Sequence, residues 1–217
     1  MDEKQWIMEI IGQTDKEYKI TDKQARILEV AIQEFADKGY SNTSTSEIAS
    51  KAGVAEGTIF RHYKTKKELL LAIVTPTLTK GIAPIIERTC VKDIFNKEYE
   101  SFEDFLRFLL NNRYQFLRSR APIMKILLQE AAFHDEINAD LKRLFTNRVY
   151  QEFTKIIAHF QDKGQLKIFP TDTVIRLMLT SIVGFLVTRF IILPGYKWDD
   201  AVEVENTVAF IMSGLKA

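Results

Sequence analysis

Gly39-Tyr40-Ser41-Asn42-Thr43-Ser44-Thr45-Ser46-Glu47-Ile48-Ala49-Ser50-Lys51-Ala52-Gly53-Val54-Ala55-Glu56-Gly57-Thr58-Ile59-Phe60-Arg61-His62-Tyr63-Lys64-Thr65-Lys66-Lys67-Glu68-Leu69 is the stretch that decides the fold. Ser44 stands three residues before Glu47, and Thr65 three before Glu68. Each pair has the spacing of a capping box, in which a hydroxyl and a carboxylate satisfy backbone N–H groups at a helix start. Between them Gly53 supplies the conformation of a tight turn, and Val54 fills the angle between two short helices. Ile48, Ala49 and Ala52 give the first helix a small-residue face for close packing. Ile59 and Phe60 are expected to anchor the second inward, leaving Glu56, Gly57, Thr58, Arg61 and His62 outward. Two helices joined by a glycine turn, the second short and flanked by basic and hydroxyl residues, form a helix-turn-helix.

Working outward, Thr21 with Gln24 makes a third capping box, ahead of an apolar face of Ile27, Leu28, Ala31, Ile32 and Phe35. Gly39 is expected to close that helix in the left-handed conformation. A fourth helix begins after Thr65 and runs past Leu71 and Ile73. Lys and Arg total 30 against 29 for Asp and Glu, so net charge says nothing about partners. The distribution does. From Lys51 to Lys67 there are Lys51, Arg61, Lys64, Lys66 and Lys67 against the single acid Glu56, a basic stripe of the kind that phosphate contact requires.

Beyond Val91 the helices lengthen and thirteen of the 15 phenylalanines appear, which puts the larger core there. The apolar spacing predicts helices over about 101–119, from Pro122 to Ala131, from Ile137 to Phe160, over 174–193 and through Val204, Val208, Ile211 and Leu215. The expected fold is all-α with about nine to ten helices. Residues 1–20 form an extension with Trp6, Ile7, Ile10 and Ile11, residues 21–70 the helix-turn-helix domain, and residues 71–217 a helical regulatory and dimerisation domain.

The run from Gly39 to Ala49 and from Ala52 to Leu69 resembles the DNA-binding domain of the TetR family of repressors. About 48 residues carry the likeness. They include the alternating Thr/Ser before the second helix, Gly57-Thr58, the string Phe60-Arg61-His62-Tyr63 and Lys66 at the opening of the fourth helix. The resemblance implies that Thr43, Ser44 and Thr45 meet phosphates, and that Glu56, Gly57, Thr58 and Arg61 approach base edges or the adjacent backbone. His62, Tyr63 and Lys66 would hold phosphates, although Tyr63 is as well suited to packing. Ala55 departs from the family pattern, where a serine often caps the recognition helix.

One short helix reads few base pairs, so specificity calls for two copies on a palindromic double-stranded operator. The 174–193 segment is apolar nearly all round, and the resemblance implies dimerisation through the last two long helices. Ile182, Gly184, Phe185, Val204, Val208 and Ile211 are the interface candidates. Arg176 and Arg189 argue against that segment crossing a membrane.

The resemblance also implies an apolar small-molecule effector that levers the fourth helix and lowers operator affinity. Phe105, Leu109, Tyr114, Met124, Phe153 and Met178 are its candidate lining, although aromatic stripes at helical spacing also build plain cores. No nucleophile–base pair, phosphate-binding glycine loop or metal-ligand cluster is evident; His134-Asp135-Glu136 diverge on a helix. Neither enzyme activity nor a cofactor is expected. The lone Cys90 and the absence of a signal-peptide pattern point to a cytoplasmic location.

Overall fold

The computed structural model describes residues 20–82, 94, 97–118 and 120–217. The extension with Trp6, Ile7, Ile10 and Ile11, and Cys90, lie outside the described residues. The chain divides into two compact units, one drawn from Met1–Pro84 and Arg120–Arg143, the other from Ile85–Ser119 and Leu144–Ala217. Helices α1–α4 occupy the first segment, α5 precedes Ser119, α6 and α7 follow, and α8–α10 complete the chain. Among the described residues the fold is all-helical, with ten α-helices, and this matches the expectation.

In the first unit, α1 (Asp22–Lys38) starts with the full capping box. Thr21 Oγ1 accepts the Gln24 N–H at 3.3 Å, and Gln24 Oε1 accepts the Thr21 N–H at 3.1 Å. Gly39 ends the helix at φ +82°, ψ 156°, which corrects the expected left-handed helical cap: the chain leaves in an extended conformation that still demands glycine. Helix α2 (Thr45–Ala52) has Ser44 accepting from the Glu47 N–H at 3.1 Å. The Glu47 carboxylate pairs with Lys38 and lies 3.8 Å from Lys51. Gly53 (φ +67°, ψ 38°) is left-handed and turns the chain into α3 (Glu56–His62).

Helix α4 (Lys66–Pro76) opens with Thr65 accepting from the Glu68 N–H at 3.0 Å, while Glu68 Oε2 accepts the Lys64 N–H at 2.8 Å, one residue before the cap. Pro76 has no N–H to donate, and the helix widens there into a π turn, Thr77–Ile82. Helices α6 (Ala121–Glu130) and α7 (Asp135–Leu144) follow later in the chain, and α6 packs on α1 and α4. Ile27, Leu28, Phe35, Ile48, Ile59, Leu69, Leu70, Ile73, Ile126 and Leu127 make the unit's core, each at most 1% exposed. Burying one such side chain contributes about 1.5–3 kcal/mol before the entropy of ordering it is subtracted.

The second unit is built from α5 (Phe102–Arg118), α8 (Tyr150–Asp162) with the π turn Phe145–Val149 before it, α9 (Thr171–Val187) with a π turn Thr188–Ile192 after it, and α10 (Asp200–Leu215). Phe102, Phe105, Phe153 and Phe160 interlock at its centre, with ring centroids 5.5 to 6.3 Å apart. Polar groups fix its edges. The Phe102 N–H donates to Gln165 Oε1 at 3.0 Å, and Gln165 Nε2 returns to the Glu100 carbonyl at 3.0 Å. Arg189 Nε donates to Asp200 Oδ1 at 2.5 Å, and the Tyr114 hydroxyl donates to Oδ2 of the same carboxylate. Arg189, then the tyrosine, hold the Asp200 carboxyl below its ordinary range. Thr171–Ile192 is long and apolar enough to cross a membrane by length and composition alone, yet α9 packs against α5, α8 and α10.

Candidate nucleic-acid interface

Helix α3 is two turns long and buries one residue, Ile59. Phe60, expected to anchor inward with it, is 45% exposed. Neighbouring residues on a helix point about 100° apart, so a two-turn helix resting on one core cannot bury both. Phe60 stands four residues after Glu56 and so shares its face. This apolar surface residue was missed because its chemistry suggested core; the i, i+4 spacing from Glu56 was the available signal. Ala55 caps α3 with no side-chain bond, as its missing hydroxyl dictates. Gly57, with no atom within 4 Å of where a Cβ would stand, and Arg61 are exposed; Thr58 and His62 are partly exposed.

Thr45 and Glu56 are brought together: Thr45 Oγ1 donates to Glu56 Oε1 at 2.7 Å, joining the first turn of α2 to the first turn of α3. Ser44 is exposed and uses its oxygen as the α2 cap, which leaves its hydroxyl proton for another acceptor.

Two expected phosphate contacts are placed otherwise. Thr43 is 2% exposed, and its hydroxyl lies 3.2 Å from the Glu34 carbonyl and 2.9 Å from the Gly39 carbonyl. A buried hydroxyl needs a partner, and these backbone oxygens are the ones in reach. Lys66 points inward as well. Its Nζ donates to the Tyr40 carbonyl at 2.7 Å and the Thr43 carbonyl at 2.8 Å, and lies 4.3 Å from the Tyr40 ring centre. Burial pushes its pKa down, and the charge of Glu130 opposes that shift. Thr43 and Lys66 thus brace the turn that presents Ser44 and Thr45. Tyr63 is half-buried, its phenol pushed up to about 12 by burial, with its ring 6.3 Å from that of His62.

The braced turn has further supports. Glu34, 5% exposed, receives Lys51 at 2.5 Å and Lys38 at 3.0 Å. The His134 ring meets Tyr40 edge-on at 5.3 Å and its Nε2 lies 3.3 Å from Glu130, while Glu136 pairs with Lys67 at 2.7 Å. His134 and Glu136 therefore point to separate partners.

The other candidates fall on other elements of the chain. Phe105, Leu109, Tyr114, Phe153 and Met178 are buried in the second unit, whereas Met124 is half-buried in the first. Ile182, Val204, Val208 and Ile211 are at most 5% exposed within the single chain, so these expected interface residues face their own core. Gly184 is exposed and Phe185 partly so. The outward residues are Leu177 and Val183 on α9 and Val202 and Phe210 on α10, between 44% and 70% exposed. Both helices carry apolar residues on more than one side, and α10 turns its Val204/Val208/Ile211 stripe toward its own unit, where it packs on α5 and α9. An open groove of about 690 Å³ runs along α9 between Tyr150, Ile175, Leu179, Val183 and Val187.

A short helix held by one buried isoleucine, set beside a glycine turn and flanked by exposed basic residues, defines a helix-turn-helix DNA-binding protein. Residues 27–73 match the family model described as bacterial regulatory proteins, tetR family. An HTH-type transcriptional regulator of Staphylococcus aureus (strain bovine RF122 / ET3-1) is 26% identical over 181 residues, covering 81% of this chain and 89% of that protein. A transcriptional regulator from Saccharomonospora viridis, solved in complex with choline, shares the fold at TM-score 0.62 and 20% identity, over 88% of this chain and 96% of that one. The ketosteroid transcriptional regulator of Mycobacterium tuberculosis shares it at TM-score 0.63 and 17% identity, over 92% and 97%. Residues 27–73 are thus similar to the tetR family of bacterial regulatory proteins, and over most of its length the chain is similar to HTH-type transcriptional regulators.

Proposed function

We propose that the chain acts in the cytoplasm as a homodimeric repressor that occupies a palindromic DNA operator and is released by a small apolar effector. The observation that carries the reading is the pairing of a two-turn recognition helix with an unburied apolar face elsewhere on the chain. Seven residues span about 10 Å and reach only a few base pairs, so one copy discriminates poorly. Leu177, Val183, Val202 and Phe210 supply the surface on which a second copy would sit. The groove along α9, with Gly184 in its wall, would receive side chains from that copy. Repression needs only occupancy of a promoter. Effector response is supported by a solved neighbour of the same fold that is in complex with choline.

The test is selection of the full-length protein on random duplex DNA, followed by fluorescence anisotropy of the enriched duplex against salt. A palindrome whose log affinity falls steeply with log salt supports the reading. Enrichment of no sequence would sink it. The same duplex then serves to screen effectors, whose expected action is to weaken binding.

A further inference from the structure

Glu56 is the one acid between Lys51 and Lys67, and it stands in the first turn of the recognition helix. A carboxylate there lowers affinity for every duplex, because it faces a polyanion. Its position is nevertheless fixed, since Oε1 accepts the Thr45 hydroxyl at 2.7 Å, while among the described residues Oε2 has no hydrogen-bond partner. An ionised carboxylate only accepts hydrogen bonds. In the major groove the donors are the N4 amine of cytosine and the N6 amine of adenine. Adenine carries the N7 acceptor beside its amine, which repels the second carboxylate oxygen. Cytosine has no acceptor on that edge.

We infer that Glu56, oriented by Thr45, is a specificity-determining residue that selects a cytosine in each operator half-site by accepting a hydrogen bond from its N4 amine. This rests on the operator-binding reading above and names one base within it. Thr45 is a positioning residue here, because its hydroxyl acts through the glutamate. The first turn of a recognition helix is also the part that meets base edges in helix-turn-helix complexes.

The experiment is parallel selection on random duplex DNA with the wild-type chain, Glu56→Gln, Glu56→Ala and Thr45→Val, each first shown by thermal melting to be folded. The wild-type operator should contain one cytosine position per half-site, preferred about five- to tenfold, within the usual cost of a single mismatch. Glu56→Gln should move that position toward adenine, because a carboxamide can both donate to N7 and accept from N6. Glu56→Ala should flatten it while binding unrelated DNA more tightly, a split that loss of structure would not produce. Thr45→Val should broaden the same position and leave the salt dependence unchanged. If the wild-type chain selects an operator and every position survives in Glu56→Gln and Glu56→Ala, the inference is overturned while the repressor reading stands. If the wild-type chain selects nothing, both fall together.

Discussion

The Lys51 ammonium lies 2.5 Å from the Glu34 carboxylate, tying α2 to α1 through a glutamate that is itself 5% exposed. Lys38, 3.0 Å from the second oxygen and also paired with Glu47, completes the link. The packing of these two helices sets where α2 begins, and so where Ser44 and Thr45 are presented.

Acid should weaken this link. Lys51 first, then Lys38, hold the Glu34 carboxyl below its ordinary value. A carboxyl whose folded-state pKa is depressed stabilises fully above its unfolded value, about 4.3, and loses that contribution as pH falls through the folded one. Glu34→Gln should therefore cost about 1.5 kcal/mol near neutrality, the lower end for hydrogen bonds to charged groups, since both lysines are nearly half exposed. The deficit should shrink below pH 4. Urea unfolding of both proteins at pH 7 and pH 3.5 measures it; a deficit that does not change with pH would refute the ion-pair account.

Lys66→Met should weaken operator binding without changing its salt dependence. The lysine serves the Tyr40 and Thr43 carbonyls, so its loss loosens a turn and frees no counterion. A direct phosphate contact would instead reduce the slope of log affinity against log salt by about 0.9. Anisotropy at four or five salt concentrations separates the two.

Phe210→Asp and Ile211→Ala are adjacent substitutions with opposite expected effects. Phe210 is 70% exposed, so the aspartate should leave the fold intact, dissociate the proposed homodimer and reduce operator affinity. Ile211 is 5% exposed, so its truncation should cost about 2–5 kcal/mol of stability. Sedimentation velocity and thermal melting together decide; a Phe210→Asp protein that stays dimeric contradicts the α9/α10 interface.

Gly57→Ala should raise stability and lower operator affinity. The position is helical and open, with nothing within 4 Å of an added Cβ, so alanine is favoured by about 1 kcal/mol. The methyl group would stand on the exposed side of α3, where close approach to the duplex is expected. Gly53→Ala should instead cost about 1–2 kcal/mol, because φ is +67° and the strain lies in the backbone. Melting curves and a binding titration on each variant are the readouts.

Much of the first unit can be read directly from its sequence, because the signals are local. Thr21, Ser44 and Thr65 each cap a helix whose N–H lies three residues on, and Gly53 meets a requirement of its own turn. What could not be read is direction. Whether Lys66 reaches outward to phosphate or inward to Tyr40 depends on a carbonyl 26 residues away. Val204, Val208 and Ile211 spell out a helical stripe, yet only the placement of α5 and α9 shows that it faces inward while Val202 and Phe210 do not. The π turns at Phe145–Val149 and Thr188–Ile192 interrupt apolar patterns that continue smoothly through them. One added residue per turn leaves little trace in such a pattern.

Ile59 is the one residue that α3 buries in the core, and the Thr45–Glu56 hydrogen bond adds one polar tie to α2. Glu56, Gly57, Thr58, Phe60 and Arg61 can therefore vary with little effect on folding, so a change of target sequence does not have to pass through an unstable intermediate. A library randomised at these five positions around a fixed Ile59 should melt close to the parent while its members diverge in the duplexes they prefer. If α3 reads the operator as proposed, this separation of anchor from exposed face would let selection redirect the domain to new promoters in single steps.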